Sequence, residues 1–234
     1  MPLLRWRLWQ IAGILQEIQA IEDDPAQKLL LALRERVMPS PLSRPILGTV
    51  ASVQATTVAD IREFHRRYYG PNDAILGIAG NVEFRAVQEM VDRYFGDWIN
   101  PQLPSPPMHL EGRPVIREHL SSDTIQSHLG IAWQSVPYGD ADYFNANGAV
   151  SVLSGGMSSR LWTEVREKRG LCYSVSASYL PFKEIGVVFA HAATTSSERA
   201  DETLEGIREE VRRLSEGITE DEVARVRAGL KTSL

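Results

Sequence analysis

The 234-residue chain has one cysteine, Cys172. A single cysteine excludes an intrachain disulfide and any zinc site built from several cysteines. No apolar run approaches the ~20 residues that cross a bilayer, so we expect no membrane span. The chain also lacks an excess of basic residues, since 25 Lys and Arg face 30 Asp and Glu for a net charge of -5. We therefore expect no nucleic-acid partner.

Catalytic motifs are also missing. None of the five histidines belongs to an HExxH or HxxEH zinc motif. Glu118 and His119 could end an HxxEH, but Val115 stands where its first histidine would be. There is no G-x-S-x-G elbow and no GK[ST] phosphate loop. An independent hydrolase with a complete site in this chain is the least favoured function, and each histidine is expected to play a structural role.

The composition is that of an ordinary globular protein, with 43% hydrophobic and 24% charged residues. The first residues, MPLLRWRLWQIAGILQEIQ, carry two arginines before an apolar stretch, as a signal peptide would. Glutamines and Glu17 interrupt that stretch and no small-residue cleavage site follows, so an amphipathic helix is favoured over a leader. The sequence does not identify the cellular compartment, and it slightly favours the cytoplasm.

The first half of the chain predicts mainly helices. One should end near residues 22–24, and Asp24 with Pro25 should begin the next. Thr57 and Asp60 have the spacing of a capping box. The short apolar run at residues 74–79 predicts a buried strand before a helix over EFRAVQEMVDRYF.

A proline-rich stretch divides the chain. Five prolines in INPQLPSPPMHLEGRP prevent a persistent helix or ladder, which predicts a semi-rigid linker. Beyond it we predict strands in VIREHL, IQSHLGIAWQSV, CYSVSASYL and IGVVFAHAAT. Four helices are predicted at residues 142–152, 157–168, 198–214 and 219–230. Runs of adjacent strands favour antiparallel sheets with packed helices, an α+β fold. The predicted domains are 1–98 and 115–234, joined by a linker at 99–114.

The segment SGGMSSRLWTEVREKRGLCYSV is the densest in potential chemistry. A glycine pair precedes a helix with several arginines, and Gly170 ends that helix before a strand that begins near Tyr173. An arginine and a tyrosine placed in this way could converge on one ligand, the arginine on a carboxylate or carbonyl and the tyrosine on an oxyanion. A solvated, salt-bridged helix face with a half-buried tyrosine explains the same spacing, and spacing alone favours it.

That segment resembles the second-domain signature of the pitrilysin–insulinase metallopeptidases, the inverzincins, which include mitochondrial processing peptidase. The stretches RPILGTVASVQATTVADIREFHRRYY, RYYGPNDAILGIAGNVEFRAVQEMVDRYFGDW and GITEDEVARVRAGLKTSL resemble other parts of the family in the same order. The resemblance implies two partial α+β domains of a peptidase that encloses unfolded peptides.

The resemblance also implies zinc, held in the family by both histidines of HxxEH and a distant glutamate. Glu17 in GILQEIQ matches that third ligand, and Gln10 replaces a further glutamate that the family often has. An ordinary solvated carboxylate is an equal alternative for Glu17. Because three protein ligands are needed and HxxEH is absent, we expect that this chain alone does not hold catalytic zinc.

Two residues, Arg166 and Tyr173, match the family's peptide-binding side. The resemblance assigns peptide-carbonyl binding to Arg166 and transition-state support to Tyr173. Trp162 lies one helical turn before Arg166 and either lines the same cleft or packs in the core.

Three functions fit the resemblance. The first is a non-catalytic, peptide-binding chain that works with a partner bearing HxxEH. The second is a piece of an active zinc endopeptidase, and the third is a structural assembly subunit without catalysis. In each case we expect a homo- or hetero-oligomer, because incomplete domains leave sheet edges open.

Overall fold

A computed structural model describes residues 2–72, 74–99, 116–121, 124–194 and 197–232 of the chain. It combines helices with a small antiparallel sheet, which confirms the α+β class at that level. The elements are α1 (Pro2–Asp23), α2 (Pro25–Val37), α3 (Val50–Ala55), α4 (Val58–Tyr68), α5 (Phe84–Phe95), β1 (Ser127–Ser135), α6 (Tyr143–Ser154), a π-helix (Leu161–Lys168), β2 (Ser174–Pro181), β3 (Gly186–Thr194), a 3₁₀ turn (Ser197–Arg199), α7 (Ala200–Glu216) and α8 (Glu220–Thr232).

Local capping sets the start of several helices. The Asp24 carboxylate accepts hydrogen bonds from the backbone N–H groups of Ala26 and Gln27, and Pro25 needs no acceptor at the first helical position. Thr57 and Asp60 form the predicted reciprocal capping box at the start of α4. These starts are confirmed because they depend only on residues within one turn of each other.

The chain divides into two compact units. Unit 1 takes its described residues from 1–15 and 49–106, and unit 2 takes them from 16–48 and 107–234. The regular elements among the described residues of unit 1 are all helices, whereas unit 2 contains the sheet. Residues 100–115 lie outside the described part, so the linker at 99–114 stays a prediction.

The sheet of unit 2 has the strand order β1–β3–β2, and both neighbouring pairs are antiparallel. Alternate residues of β1 and β3 point to opposite faces. On one face Ala190 and Ala192 pack with α6, the π-helix and α7 in a core that includes Leu161 and Val165. On the other face Phe189 and Val187 pack against the end of α2 and Met38.

Two predicted strands are wrong. Residues 74–79 have no regular structure, and Ile75 is 95% exposed. The described part of VIREHL, residues 116–120, also forms no strand. A strand exists only when a neighbour takes up its backbone hydrogen bonds, and the described residues supply none to either segment.

Two helices differ from the sequence prediction. The helix predicted at 157–168 begins at Leu161 and is a π-helix. The short helix α3 was not predicted, although Thr49 and Ser52 form a capping box at its start. Among the described residues no helix is both long and apolar enough to cross a bilayer.

Candidate functional site

The π-helix positions the residues that the sequence singled out in unit 2. Gly156 lies before the π-helix and has φ +131°, a backbone conformation that residues with a Cβ atom rarely adopt. Leu161 and Val165 are fully buried in the core beneath the helix. Because these two residues fix the inward face, Trp162 and Arg166 lie at the partly exposed boundary of the same helix.

A tight reversal joins the π-helix to β2. Gly170 has φ +60°, and the Leu171 N–H donates back to the Val165 carbonyl at 3.1 Å. Leu171 is buried, and the Tyr173 N–H donates to the Ala193 carbonyl of β3 at 2.9 Å. The start of β2 is therefore held against the sheet, one reversal away from Arg166.

The structure brings Trp162, Arg166 and Tyr173 together. The Nε–H of Arg166 donates to the Tyr173 carbonyl oxygen at 2.7 Å. Its guanidinium carbon lies 3.7 Å from the centre of the Trp162 ring and 5.9 Å from the centre of the Tyr173 ring. A guanidinium over an indole face is a favourable cation–π contact. One cation is thus held by one hydrogen bond and one aromatic face.

The cluster has polar atoms that make no hydrogen bond within the described part of the chain. No hydrogen bond engages the terminal Nη1 and Nη2 atoms of Arg166 within the described part of the chain. Tyr173 is 72% exposed, and its hydroxyl has no hydrogen-bond partner among the same residues. Guanidinium donors suit a carbonyl or carboxylate, and a phenol can donate to an oxyanion. The cluster therefore offers hydrogen-bond donors of the kind that bind a carbonyl, a carboxylate or an oxyanion.

A neighbouring residue that sequence reasoning missed completes the cluster. The indole N–H of Trp162 donates to Oε1 of Glu167 at 3.1 Å. The sequence shows a carboxylate five residues after a tryptophan, a spacing that predicts no contact in an α-helix. Only knowledge of the π-helix could have identified this pair.

Glu17, the predicted zinc ligand, belongs to no cluster of metal-binding side chains within the part of the chain that the structure describes. Glu17 is exposed on α1. In the described ranges no three His, Cys, Asp or Glu side chains lie close enough together to hold a metal ion. The described residues therefore do not form a zinc site with three protein ligands.

The histidines divide into solitary and paired residues. His65 is exposed on α4 and stacks on Tyr69, with ring centres 5.1 Å apart. His119 is exposed, and His109 lies outside the described residues. In contrast, Nδ1 of His128 and Nε2 of His191 are 3.1 Å apart across β1 and β3. The sequence did not predict this pair, because the register of the strands alone brings it together.

Cys172 follows the reversal and is buried beneath β2. Burial raises the pKa of its thiol, and the nearby Arg166 guanidinium opposes that shift. A protonated thiol is a poor nucleophile. This agrees with the prediction of a core residue.

Comparison with known proteins gives one family. A family profile described as "Peptidase M16 inactive domain" matches residues 55–230. A Streptomyces coelicolor protein named an uncharacterized zinc protease is 33% identical over 230 residues, which cover 94% of this chain and 50% of that protein. A Mycobacterium tuberculosis protein with the same description is 31% identical over 228 residues, covering 94% and 52%. The chain spans about half the length of the curated relatives it matches.

Solved structures share the fold. A crystal structure titled as a peptidase M16 inactive domain from Pseudomonas fluorescens aligns with a TM-score of 0.87 at 22% identity, over 98% of this chain and 56% of that chain. A chain of complex III2 from Candida albicans aligns with a TM-score of 0.75 at 20% identity, over 95% and 55%.

Proposed function

The chain belongs to the peptidase M16 family through its match to the inactive domain, and from this premise we propose that it is a non-catalytic, peptide-binding component of a zinc peptidase. The observation that carries the proposal is the cluster of Trp162, Arg166 and Tyr173, in which the Tyr173 side chain is exposed and the Nη atoms of Arg166 make no hydrogen bond to the described residues. The zinc and its HxxEH motif would belong to polypeptide outside this chain.

Each residue has a distinct part in this function. Arg166 uses its Nη atoms to bind a carbonyl oxygen of an extended peptide, because its Nε is already committed to Tyr173. The exposed Tyr173 hydroxyl donates to the oxygen that gains negative charge when the peptide bond is attacked. Trp162 provides an aromatic wall beneath the guanidinium. Arg166 thus serves binding, and Tyr173 serves catalysis by the partner.

Peptide binding by the chain alone tests the first role. A fluorescein-labelled, denatured polypeptide is titrated and its anisotropy is followed. We expect Arg166→Met to weaken binding about tenfold, the loss expected for a charge-assisted hydrogen bond. Arg212→Met removes an exposed arginine of α7, paired with Glu216, and serves as the matched control. Absence of binding by the unmodified chain would favour a structural subunit and overturn the proposal.

Complementation tests the second role. The chain is mixed with a separately produced HxxEH-bearing half of a relative, and peptide hydrolysis is measured. We expect hydrolysis from the mixture and none from this chain alone. Tyr173→Phe should reduce turnover by the mixture while leaving the anisotropy titration unchanged. Hydrolysis by this chain without a partner would show that its catalytic site is complete and would contradict the proposal.

A further inference from the structure

The π-helix changes which side chains can touch. In an α-helix of 3.6 residues per turn, the residue five positions ahead lies about 140° around the axis. In a π-helix, whose hydrogen bonds join residues five apart, the residues four and five positions ahead both lie over the first. Arg166 and Glu167 stand four and five positions after Trp162, and both contact it.

Those two contacts use different parts of one indole. Arg166 lies over the ring face at 3.7 Å, and Glu167 accepts the ring N–H at 3.1 Å. A hydrogen bond to the ring edge fixes the rotation of the indole, and the rotation decides where its negative face points. The carboxylate also polarises the N–H and enriches the ring in electrons, which strengthens its attraction for a cation.

We propose that Glu167 is a positioning residue of the peptide-binding site, which orients Trp162 so that the indole holds the Arg166 guanidinium ready for a peptide carbonyl. The inference rests on the proposed peptide-binding function. It assigns Glu167 no contact with substrate. The neighbouring carboxylate, Glu164, pairs with Lys168 at 2.7 Å and contributes nothing to this arrangement.

The role of Glu167 as an acceptor can be separated from its charge. Glu167→Gln keeps a carbonyl oxygen for the indole N–H, whereas Glu167→Met keeps the length and removes the acceptor. We expect Glu167→Met to weaken peptide binding about fivefold, the effect of one hydrogen bond, and Glu167→Gln to restore most of it. Glu164→Met is the matched control and should leave binding unchanged.

A double-mutant cycle tests whether Glu167 acts through Trp162. Trp162→Phe keeps an aromatic face and loses the N–H, so it should weaken binding about as much as Glu167→Met. The combined variant should be no weaker than either single variant, because both remove the same contact. Additive losses would mean that Glu167 acts independently of Trp162 and would overturn the inference.

A spectroscopic readout separates this inference from the function on which it rests. The contribution of the Trp162 indole to the near-ultraviolet circular dichroism is obtained by subtracting the spectrum of the Trp162→Phe variant from that of the unmodified chain. We expect Glu167→Met to reduce this signal and Glu167→Gln to preserve it, whether or not peptide is present. If the unmodified chain binds no peptide, the proposed function fails. If it binds and Glu167→Met binds equally well with an unchanged signal, the positioning role alone fails.

Discussion

Single side chains in this protein acquire their chemistry from neighbours distant in sequence. His128 and His191 are 63 residues apart, yet their facing nitrogens are 3.1 Å apart and their ring centres 5.4 Å apart. Two imidazole nitrogens at this distance can share one hydrogen bond, and the tautomers of the two rings decide which ring donates.

This histidine pair predicts a pH-dependent stability. Burial lowers the pKa of His191, its neighbour His128 lowers it further, and the Asp24 carboxylate at the start of α2 opposes the shift. The folded state thus binds fewer protons than the unfolded state below the ordinary value of 6.5. Stability is fully present above that pH and is lost as the pH falls through the folded pKa.

The measurement is urea unfolding at pH 7.5 and at lower pH. We expect the free energy of unfolding to fall on acidification, and His191→Asn to flatten this dependence. His119→Asn, at an exposed site, is the control and should keep the slope of the unmodified chain. A slope that survives in His191→Asn would assign the pH dependence to other groups.

At the scale of elements, an ion pair fastens the π-helix to α8. Arg160 immediately precedes the π-helix and donates through Nε and Nη2 to both carboxylate oxygens of Glu222, at 2.6 and 2.9 Å. Both side chains are largely buried, at 13% and 14% exposure. Glu222 also accepts the Thr219 N–H at the start of α8. One carboxylate thus caps a helix and ties it to the candidate site.

Loss of this carboxylate should be costly. Hydrogen bonds from Arg160, followed by those from Thr219, lower the pKa of Glu222 from 4.5 to about 2 against the opposing effect of burial, a shift worth about 3 kcal/mol. We expect Glu222→Gln to lower the free energy of unfolding by about that amount, because the buried Arg160 keeps a neutral acceptor but loses the negative charge of its partner. The stability that this pair contributes is present above pH 4.5 and is lost as the pH falls toward 2.

Urea unfolding at neutral pH measures the loss of unfolding free energy in Glu222→Gln. Glu216→Gln removes an exposed carboxylate of α7 that pairs with Arg212, and it should change stability little. Equal effects of the two substitutions would contradict the special weight given to Glu222.

For the whole molecule, unit 1 and unit 2 differ in how well they bury apolar surface. Among the described side chains of unit 1, Val53 alone is buried, whereas Phe64, Ile75 and Tyr94 are 55%, 95% and 69% exposed. Unit 2 contains both apolar clusters and the sheet. Exposed apolar side chains such as these favour association with another polypeptide chain.

We therefore predict a dimer or larger assembly for the isolated chain. Ile75→Lys should raise the monomer fraction in light scattering across a dilution series, because a charge is costly in an apolar contact. Gln88→Lys adds the same charge at an exposed polar position of α5 and should leave the assembly unchanged. A monomer at every concentration of the unmodified chain would refute the prediction.

Local features and the family can be predicted from the residues alone. Asp24 and Thr57 start their helices through contacts within a few residues, and the strand predicted in IQSHLGIAWQSV is observed as β1. The segment at 154–175 indicated the family that the comparison confirms. Such features are readable because the atoms that stabilise them are close together in the chain.

Contacts between segments that are distant in sequence depend on the tertiary structure and could not be predicted. Packing of Leu161 and Val165 on the sheet accompanies a π-helix that places Arg166 and Glu167 on one indole. Strand register pairs His128 with His191, and the lack of a neighbouring strand among the described residues leaves residues 74–79 irregular despite their strand-like sequence. The physical reason is that backbone hydrogen bonds and burial between remote segments outweigh the small local preferences that a sequence pattern expresses.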